Sequence, residues 1–407
     1  MGKKILQLYL AKNDVPNNEA CATLDLPASP WELQDALDRV RLRPGEELYL
    51  QVDKFYELYH AGLQIADEDY SLLEWNTLAT ALASLDEYQE LAFCGLLQIE
   101  IKRKMKENAG TFTLQDLCDL AVSEECCHVI PNVITDEQLG RFYVENDFLP
   151  ELTDIPDSVF EWLDFAKIGK QMRQDEGGVF NQVGLRGPMG YIVRSEELRK
   201  APPCPKGLPQ RPDHLFRLTL GLHPDMGDDR TAVLVLPASE EKLTAVQEQL
   251  GTLKWENTVV LDYDGILPNA AFFADLPMEL DAFNELAAAV RDMPLPEKQI
   301  PKLKALLEHF NVREIGEAMS LVAHIDDYVL TPAISSPQEH AIGWLYGLTE
   351  DRFADLVIAH ADLYRLGNAI IQEDHAALTP YGLLNRTDYE PMLSPIQQKQ
   401  GSEMTMQ

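Results

Sequence analysis

Residues 259–267, VVLDYDGIL, hold the pair of side chains in this chain best arranged for chemistry. An apolar strand ending in Asp-x-Asp-Gly can present Asp262 as a nucleophile toward phosphorus and Asp264 as acid and base, so the implied reaction is phosphoester hydrolysis through a covalent intermediate. Cys126-Cys127-His128, with Cys118 upstream, offers metal-ligand side chains, but adjacent cysteines do not converge on one tetrahedral ion as spaced CxxC pairs do. Asp326-Asp327 reads as a solvated turn because no second motif accompanies it. His60, His128, His324 and His360 are scattered, as surface or core residues are. G-x-S-x-G, Walker, H-E-x-x-H and G-x-G-x-x-G patterns are absent. The expectation is a protein that is not an enzyme and carries no cofactor and no metal.

Charge points to another kind of function. The 407 residues include 67 Asp and Glu against 34 Lys and Arg, a net charge of −33. Two long tracts have no positive charge: residues 61–101, with Asp67, Glu68, Asp69, Glu74, Asp86, Glu87, Glu90 and Glu100, and residues 255–290, with Glu256, Asp262, Asp264, Asp275, Glu279, Asp281 and Glu285. Both alternate acids with apolar residues, the pattern of folded elements with an anionic outer face rather than of a disordered acidic tail. A charge far beyond the roughly 2–8 that keeps a small domain soluble costs stability through self-repulsion. Such a surface repels nucleic acid and attracts proteins that bind it. The basic run Lys102-Arg103-Lys104 with Lys106 lies in that negative field, so no direct contact with nucleic acid is expected. Six cysteines without a CxxC pair point to reduced thiols and a cytoplasmic location, and no apolar run approaches the roughly 18–20 residues of a membrane span.

The elements that would carry these side chains repeat. Leu-Pro-Ala-Ser occurs at 26–29 and at 236–239, each time after a short β-like run and before an amphipathic helix, with a further strand following (EELYLQVD, NTVVLDYD). The helix around Asn76 matches that around Asn284, QLGRFYVEN (138–146) matches AIGWLYGLT (341–349), and residues 162–178 match 360–376. The fold class expected is α+β, a tandem repeat of elongated multi-subdomain units, each with small mixed sheets and a helical middle. Copy one spans 1–185, a Pro-rich linker 186–213, a divergent copy two 214–384, and a disordered tail 385–407. Gln51 stands where copy two has Asp262, so the nucleophile position reads as a variable strand end. Ser29-Pro30 and Thr135-Asp136-Glu137-Gln138 predict helix starts, and Gly177-Gly178 a helix end.

Residues 116–184 resemble the C-terminal half of ArdA-type antirestriction proteins, through DEQLGRFYVEN, then LDFAKIGKQM, then EGGVF. Copy two departs from this, with His375-Ala376 for Gly177-Gly178 and Trp344-Leu345 for Arg141-Phe142. The resemblance implies an elongated mimic of double-stranded DNA, encoded on a bacterial mobile genetic element, that occupies the DNA-binding groove of type I restriction–modification enzymes. It also implies a homodimer or, with two copies in one chain, a pseudo-dimer. B-DNA presents about one charge per 1.7 Å of axis, whereas one acidic helix stripe presents one per roughly 5–6 Å. Several elements must therefore combine. The partner-binding carboxylates expected are Asp67, Glu68, Asp69, Glu74, Asp86, Glu87, Glu90, Asp136, Glu137, Glu145, Asp147, Glu151, Asp154, Asp157, Glu161 and Asp164. The alternatives are an acidic interaction protein for another DNA-binding partner and a haloacid-dehalogenase-like phosphatase, although the Thr usual in that family two residues after the Gly is missing.

Overall fold

The computed structural model describes residues 3–12, 20–42, 45–56, 63–107, 110–150, 156–160, 162–224, 229–267 and 279–394. In the first half the order is β1 (Leu6–Lys12), β2 (Ala22–Leu26), α1 (Pro30–Val40), β3 (Leu48–Phe55), α2 (Leu72–Ala83), α3 (Glu87–Lys106), α4 (Leu114–Ala121), β4 (Cys127–Pro131), α5 (Asp136–Glu145), α6 (Asp157–Phe160), α7 (Phe165–Glu176), β5 (Val179–Gln182) and β6 (Met189–Arg194). The second half has the same order: β7 (Phe216–Leu222), β8 (Thr231–Leu236), α8 (Glu240–Leu250), β9 (Thr258–Gly265), α9 (Leu280–Arg291), α10 (Pro296–His309), α11 (Ile315–Ala323), β10 (Tyr328–Thr331), α12 (Pro337–Leu348), α13 (Asp351–Ile358), α14 (Leu363–Glu373), β11 (Ala377–Thr379) and β12 (Gly382–Arg386). The protein is α+β with small three-stranded sheets. Strand orders β2-β1-β3 and β4-β6-β5 recur as β8-β7-β9 and β10-β12-β11. Every named strand pair is antiparallel, where mixed sheets were expected.

The repeated tetrapeptide has a physical reason. The Asn76 side chain accepts from Ala28 N at 2.7 Å and donates to Ala28 O at 3.1 Å, and Asn284 makes the same two bonds with Ala238, at 2.7 and 3.0 Å. One amide thus ties the middle helix to the turn that starts the preceding helix. Leu6, Leu8 and Leu10 in β1, like Phe216, Leu218 and Leu220 in β7, alternate inward at the period of a strand and seed each core. Helices α1 to α4 all open on reciprocal capping boxes, Ser29–Glu32, Ser71–Glu74, Asp86–Gln89 and Thr113–Asp116, so part of the acidic excess serves helix starts.

Three expectations need correction. Met189–Arg194 lies inside the stretch taken as linker, yet β6 is the central strand of its sheet; its buried run Gly190-Tyr191-Ile192 is too short to stand out among flanking arginines and prolines. Residues 200–204 of that stretch lie along α4, with Lys200 on Asp119 at 2.7 Å and Cys204 N donating to Gln115 Oε1 at 3.0 Å. The tail expected from 385 begins inside β12, and Tyr328 donates its hydroxyl to Leu393 O at 2.9 Å; residues 395–407 lie outside the described residues. Helix α5 also aligns with α12 differently. Thr135 and Ser336 are the caps, and Gln138 and Glu339 both reach back to the backbone before the cap, so Gly140 corresponds to Ala341 and not to Gly343. Gly140 and Gly169 bring α5 against α7 so closely that a Cβ on either would collide with the facing backbone, whereas a Cβ on Gly343 would meet nothing.

The halves meet through α1. Trp31 is 2% exposed and belongs to the buried cluster of the second copy, with Phe216, Leu306 and Tyr381. Its backbone N–H donates to Asp264 Oδ1 at 2.9 Å and its indole N–H to His214 O at 2.8 Å. Lys304, 1% exposed, sits 2.8 Å from Asp35 and 3.0 Å from Asp38, and the Tyr381 hydroxyl donates to Asp35 at 2.8 Å. Arg41, left-handed at φ 57, donates to the carbonyls of Ile334, Thr379 and Pro380 at 3.0, 3.2 and 2.8 Å. In α8 the corresponding positions hold Glu241, Ala245 and Gly251, and only Val246 and Leu250 are buried. The contact is therefore one-way, head to tail.

Burial alone would raise the Asp35 carboxyl, but Lys304 and Arg39 outweigh it and hold the group below the usual carboxylate range. Because the folded value lies under the unfolded one of about 4, the stabilisation is complete above that pH and is lost as pH falls through the folded value. Urea denaturation should show the lock weakening on acidification through this window. Lys304→Met, which removes the cation from between two half-buried carboxylates and leaves Arg39 alone to pair with Asp35, should cost about 3 kcal/mol, and Trp31→Ala a similar amount.

Candidate partner-binding surface

Asp67, Glu68 and Asp69 form an exposed run held at both ends. Before it, Ile65 bridges to Phe112 and Ala66 N–H donates to Phe112 O at 2.8 Å; after it, Tyr70 packs edge-on against Trp75 at 5.9 Å. The three carboxylates have no ion-pair partner among the described residues. Glu87, Glu137 and Asp147 are likewise exposed and unpaired there. Asp86 and Asp164 are exposed N-caps of α3 and α7, with bonds of 2.8 Å to Gln89 N and 3.0 Å to Lys167 N. A carboxylate at a helix N-terminus keeps its charge while filling an orphan donor, so these two combine capping with surface charge.

Other expected surface acids are engaged internally. Glu74 is 7% exposed: its carboxylate accepts from Ser71 N at 2.8 Å and Ser71 Oγ at 2.9 Å, closing the cap of α2, and it does not belong to an outward ridge. Glu90 pairs with Lys3 at 2.7 Å, and Glu145 stands 3.4 Å from Arg141. Asp136 is bonded by Arg173 at 2.7 and 3.0 Å, and that bond and charge hold its carboxyl below the usual range. Glu151, Asp154 and Glu161 lie outside the described residues; Asp157 opens α6, but its side chain also lies outside them. Glu196 and Glu197, just after β6, are exposed and unpaired among the described residues. The neighbouring basic residues of the supposed linker masked them in the sequence.

In the second tract Glu256, Asp262, Glu279, Asp281 and Glu285 are exposed, and Asp275 lies outside the described residues. Asp262 points outward from β9, an edge strand of an antiparallel sheet, opposite Thr219 as Gln51 is opposite Tyr9. Asp264 is 2% exposed and already engaged, by Trp31 N–H and by His214 Nε2 at 2.6 Å. Asp264, the residue the phosphatase alternative would use as acid and base, is held in the contact between the copies.

A groove of about 550 Å³ in copy one is lined by His128, Ile130, Phe142, Tyr143, Phe148, Glu176, Val193 and Arg194. The Tyr143 and Tyr191 hydroxyls both donate to Glu176, at 2.7 and 3.0 Å, and burial followed by the Glu176 charge pushes both phenols upward. Among the described residues no group of three or more His, Cys, Asp or Glu could hold a metal ion, and no helix is long and apolar enough to cross a membrane. Cys126 and Cys127 are buried, while Cys118 Sγ lies 3.5 Å from Cys204 Sγ. No protein-family model and no curated protein matches this chain.

The two kinds of acid separate by stability. Glu74→Ala removes the acceptor of two cap bonds and should cost about 1–3 kcal/mol in urea denaturation. Glu87→Gln should shift the midpoint little, because relief of repulsion is set against loss of a favourable charge in the first turn of α3.

Proposed function

We propose that the chain is an acidic DNA mimic that inhibits type I restriction–modification enzymes by filling their DNA-binding groove. The observation that carries this reading is the set of exposed, unpaired carboxylates, Asp67 to Asp69, Glu87, Glu137 and Asp147 in copy one with Glu256, Asp262, Glu279, Asp281 and Glu285 in copy two. They stand on a strand, on helices and on the connections between packed elements, so their charges are held in place rather than averaged over a mobile tail. The resemblance of residues 116–184 to ArdA-type proteins supports the choice of target class. Carboxylates spread over many elements suit a groove that contacts phosphates along a length of duplex, and no single acid should dominate.

Affinity for a purified type I enzyme, measured for single and grouped amide variants, tests this. Asp67→Asn, Glu68→Gln, Asp69→Asn, Glu87→Gln or Glu137→Gln alone should each weaken binding by less than about fivefold. All five together should weaken it by roughly 100-fold, and duplex DNA should displace the unmodified chain. Loss of binding from one substitution with its neighbours silent would point to a local site. Binding alongside DNA, or binding to another DNA-binding protein in preference to this enzyme, would remove the proposed target.

A further inference from the structure

The strap that follows β6 is laid along α4 in a single register. Pro202, Pro203 and Pro205 favour a polyproline helix, which has three residues per turn. Leu198, Ala201 and Cys204 stand at that spacing, and all three pack partly buried against the core of copy one. The strap's backbone is fastened by residues four apart on α4 and just beyond its end. Arg199 N donates to Ser123 Oγ at 2.9 Å, Ala201 N to Asp119 Oδ1 at 2.9 Å and Cys204 N to Gln115 Oε1 at 3.0 Å. Each bond takes a different side chain, so a slip of the strap along the helix would break all three.

This register brings Cys204 Sγ to 3.5 Å from Cys118 Sγ. Both are free thiols. Cys118 is 2% exposed, whereas Cys204 is half-buried between exposed Pro203 and Pro205. A disulfide requires its sulfurs at about 2.05 Å. Cys118 is fixed in a helix, so the approach falls to Cys204, whose segment belongs to no strand or helix. Burial, and then the bond to Cys204, push the Cys118 thiol upward, so the more accessible Cys204 is the thiol that reacts first. Residues 214–407 contain no cysteine, and the pair belongs to copy one and its strap alone.

We propose that Cys118 and Cys204 are an oxidation site, a reversible disulfide that latches the strap to α4 and so fixes the path by which the chain leaves copy one for β7. The co-reactant is a low-molecular-weight disulfide. The Cys204 thiolate attacks one of its sulfurs, the S–S bond of the small molecule breaks, and one small thiol leaves after taking up a proton. Cys118 then gives up its proton and attacks Cys204 Sγ; the mixed disulfide breaks, the second small thiol leaves with a proton, and the Cys118–Cys204 bond forms. Two protein thiols are oxidised and one small disulfide is reduced to two thiols. The bond joins residues far apart in sequence, so it restrains the unfolded chain and should stabilise the fold.

This site is independent of the DNA-mimic reading. The full chain, folded and reduced, is equilibrated with graded ratios of oxidised to reduced glutathione, alkylated and mapped by peptide mass spectrometry, and its urea midpoint is measured. Cys204→Ser and, for comparison, Cys94→Ser undergo the same treatment, with circular dichroism confirming the fold of each. The expected result is a peptide linked through Cys118 and Cys204, its loss under dithiothreitol, and a higher urea midpoint for the oxidised chain. Cys204→Ser should lose both the linkage and the shift, and Cys94→Ser should keep both. Glutathione on Cys204 without linkage to Cys118, or no modification of either thiol, would overturn the latch. So would a linkage that leaves the urea midpoint unchanged or lowers it, or one that joins two chains and appears as a dimer in non-reducing electrophoresis.

Discussion

Like-charge repulsion is the constraint that the rest of the structure answers to. A chain with a net charge of −33 folds against its own repulsion, and several of its cations sit where they hold elements together. Lys304 is enclosed between Asp35 and Asp38 at the contact between the copies. Arg103 and Arg194 both reach Glu100, which is 3% exposed, and so fasten α3 within itself and to the end of β6. Arg173 ties α7 to the start of α5, Lys104 ties α3 to the cap of α4, and Lys200 ties the segment after β6 to Asp119. Positive charge used in this way leaves the outer carboxylates uncompensated. The exposed anionic charge is thus a consequence of how the fold is held together as well as of composition.

The tandem was legible because its signature is mechanical. Leu-Pro-Ala-Ser recurs with an asparagine at matching depth, since that amide must satisfy both backbone groups of the alanine. Helix starts were legible because Ser29 and Thr135 are local caps. What escaped was set by contacts distant in sequence. Strand β6 is buried by α3, whose Gly95 faces Ile192, and nothing in residues 186–213 alone announces that. The register of α5 against α12 misled because Gly140 and Gly343 share a residue type but not a role. Charge did not distinguish Glu74, turned into a cap, from Glu87, turned to solvent, since the two differ only in which face of a helix start they occupy.

Repetition also sets the limits of the array. Helix α1 enters copy two through Trp31, Asp35 and Arg41, while α8 replaces these with Glu241, Ala245 and Gly251 and keeps its outer face in solvent. A head-to-tail contact of this kind does not close on itself by a two-fold axis, and it would continue indefinitely if both copies could donate the helix. Helix α8, with Glu241, Ala245 and Gly251 at those positions, does not carry the side chains that make this contact. The two halves therefore share an architecture, but only the first lends a helix to the other.

The central claim is that exposed carboxylates, held at fixed positions, stand in for the phosphates of a duplex. Its most direct test is the equilibrium affinity of the intact chain for a purified type I restriction enzyme, titrated over ionic strength and set beside the enzyme's own affinity for duplex DNA. The account predicts that log affinity falls steeply and linearly with log salt for both ligands, since each displaces ions from the same basic groove. An affinity for this chain that stays flat over the range in which DNA binding collapses would contradict it.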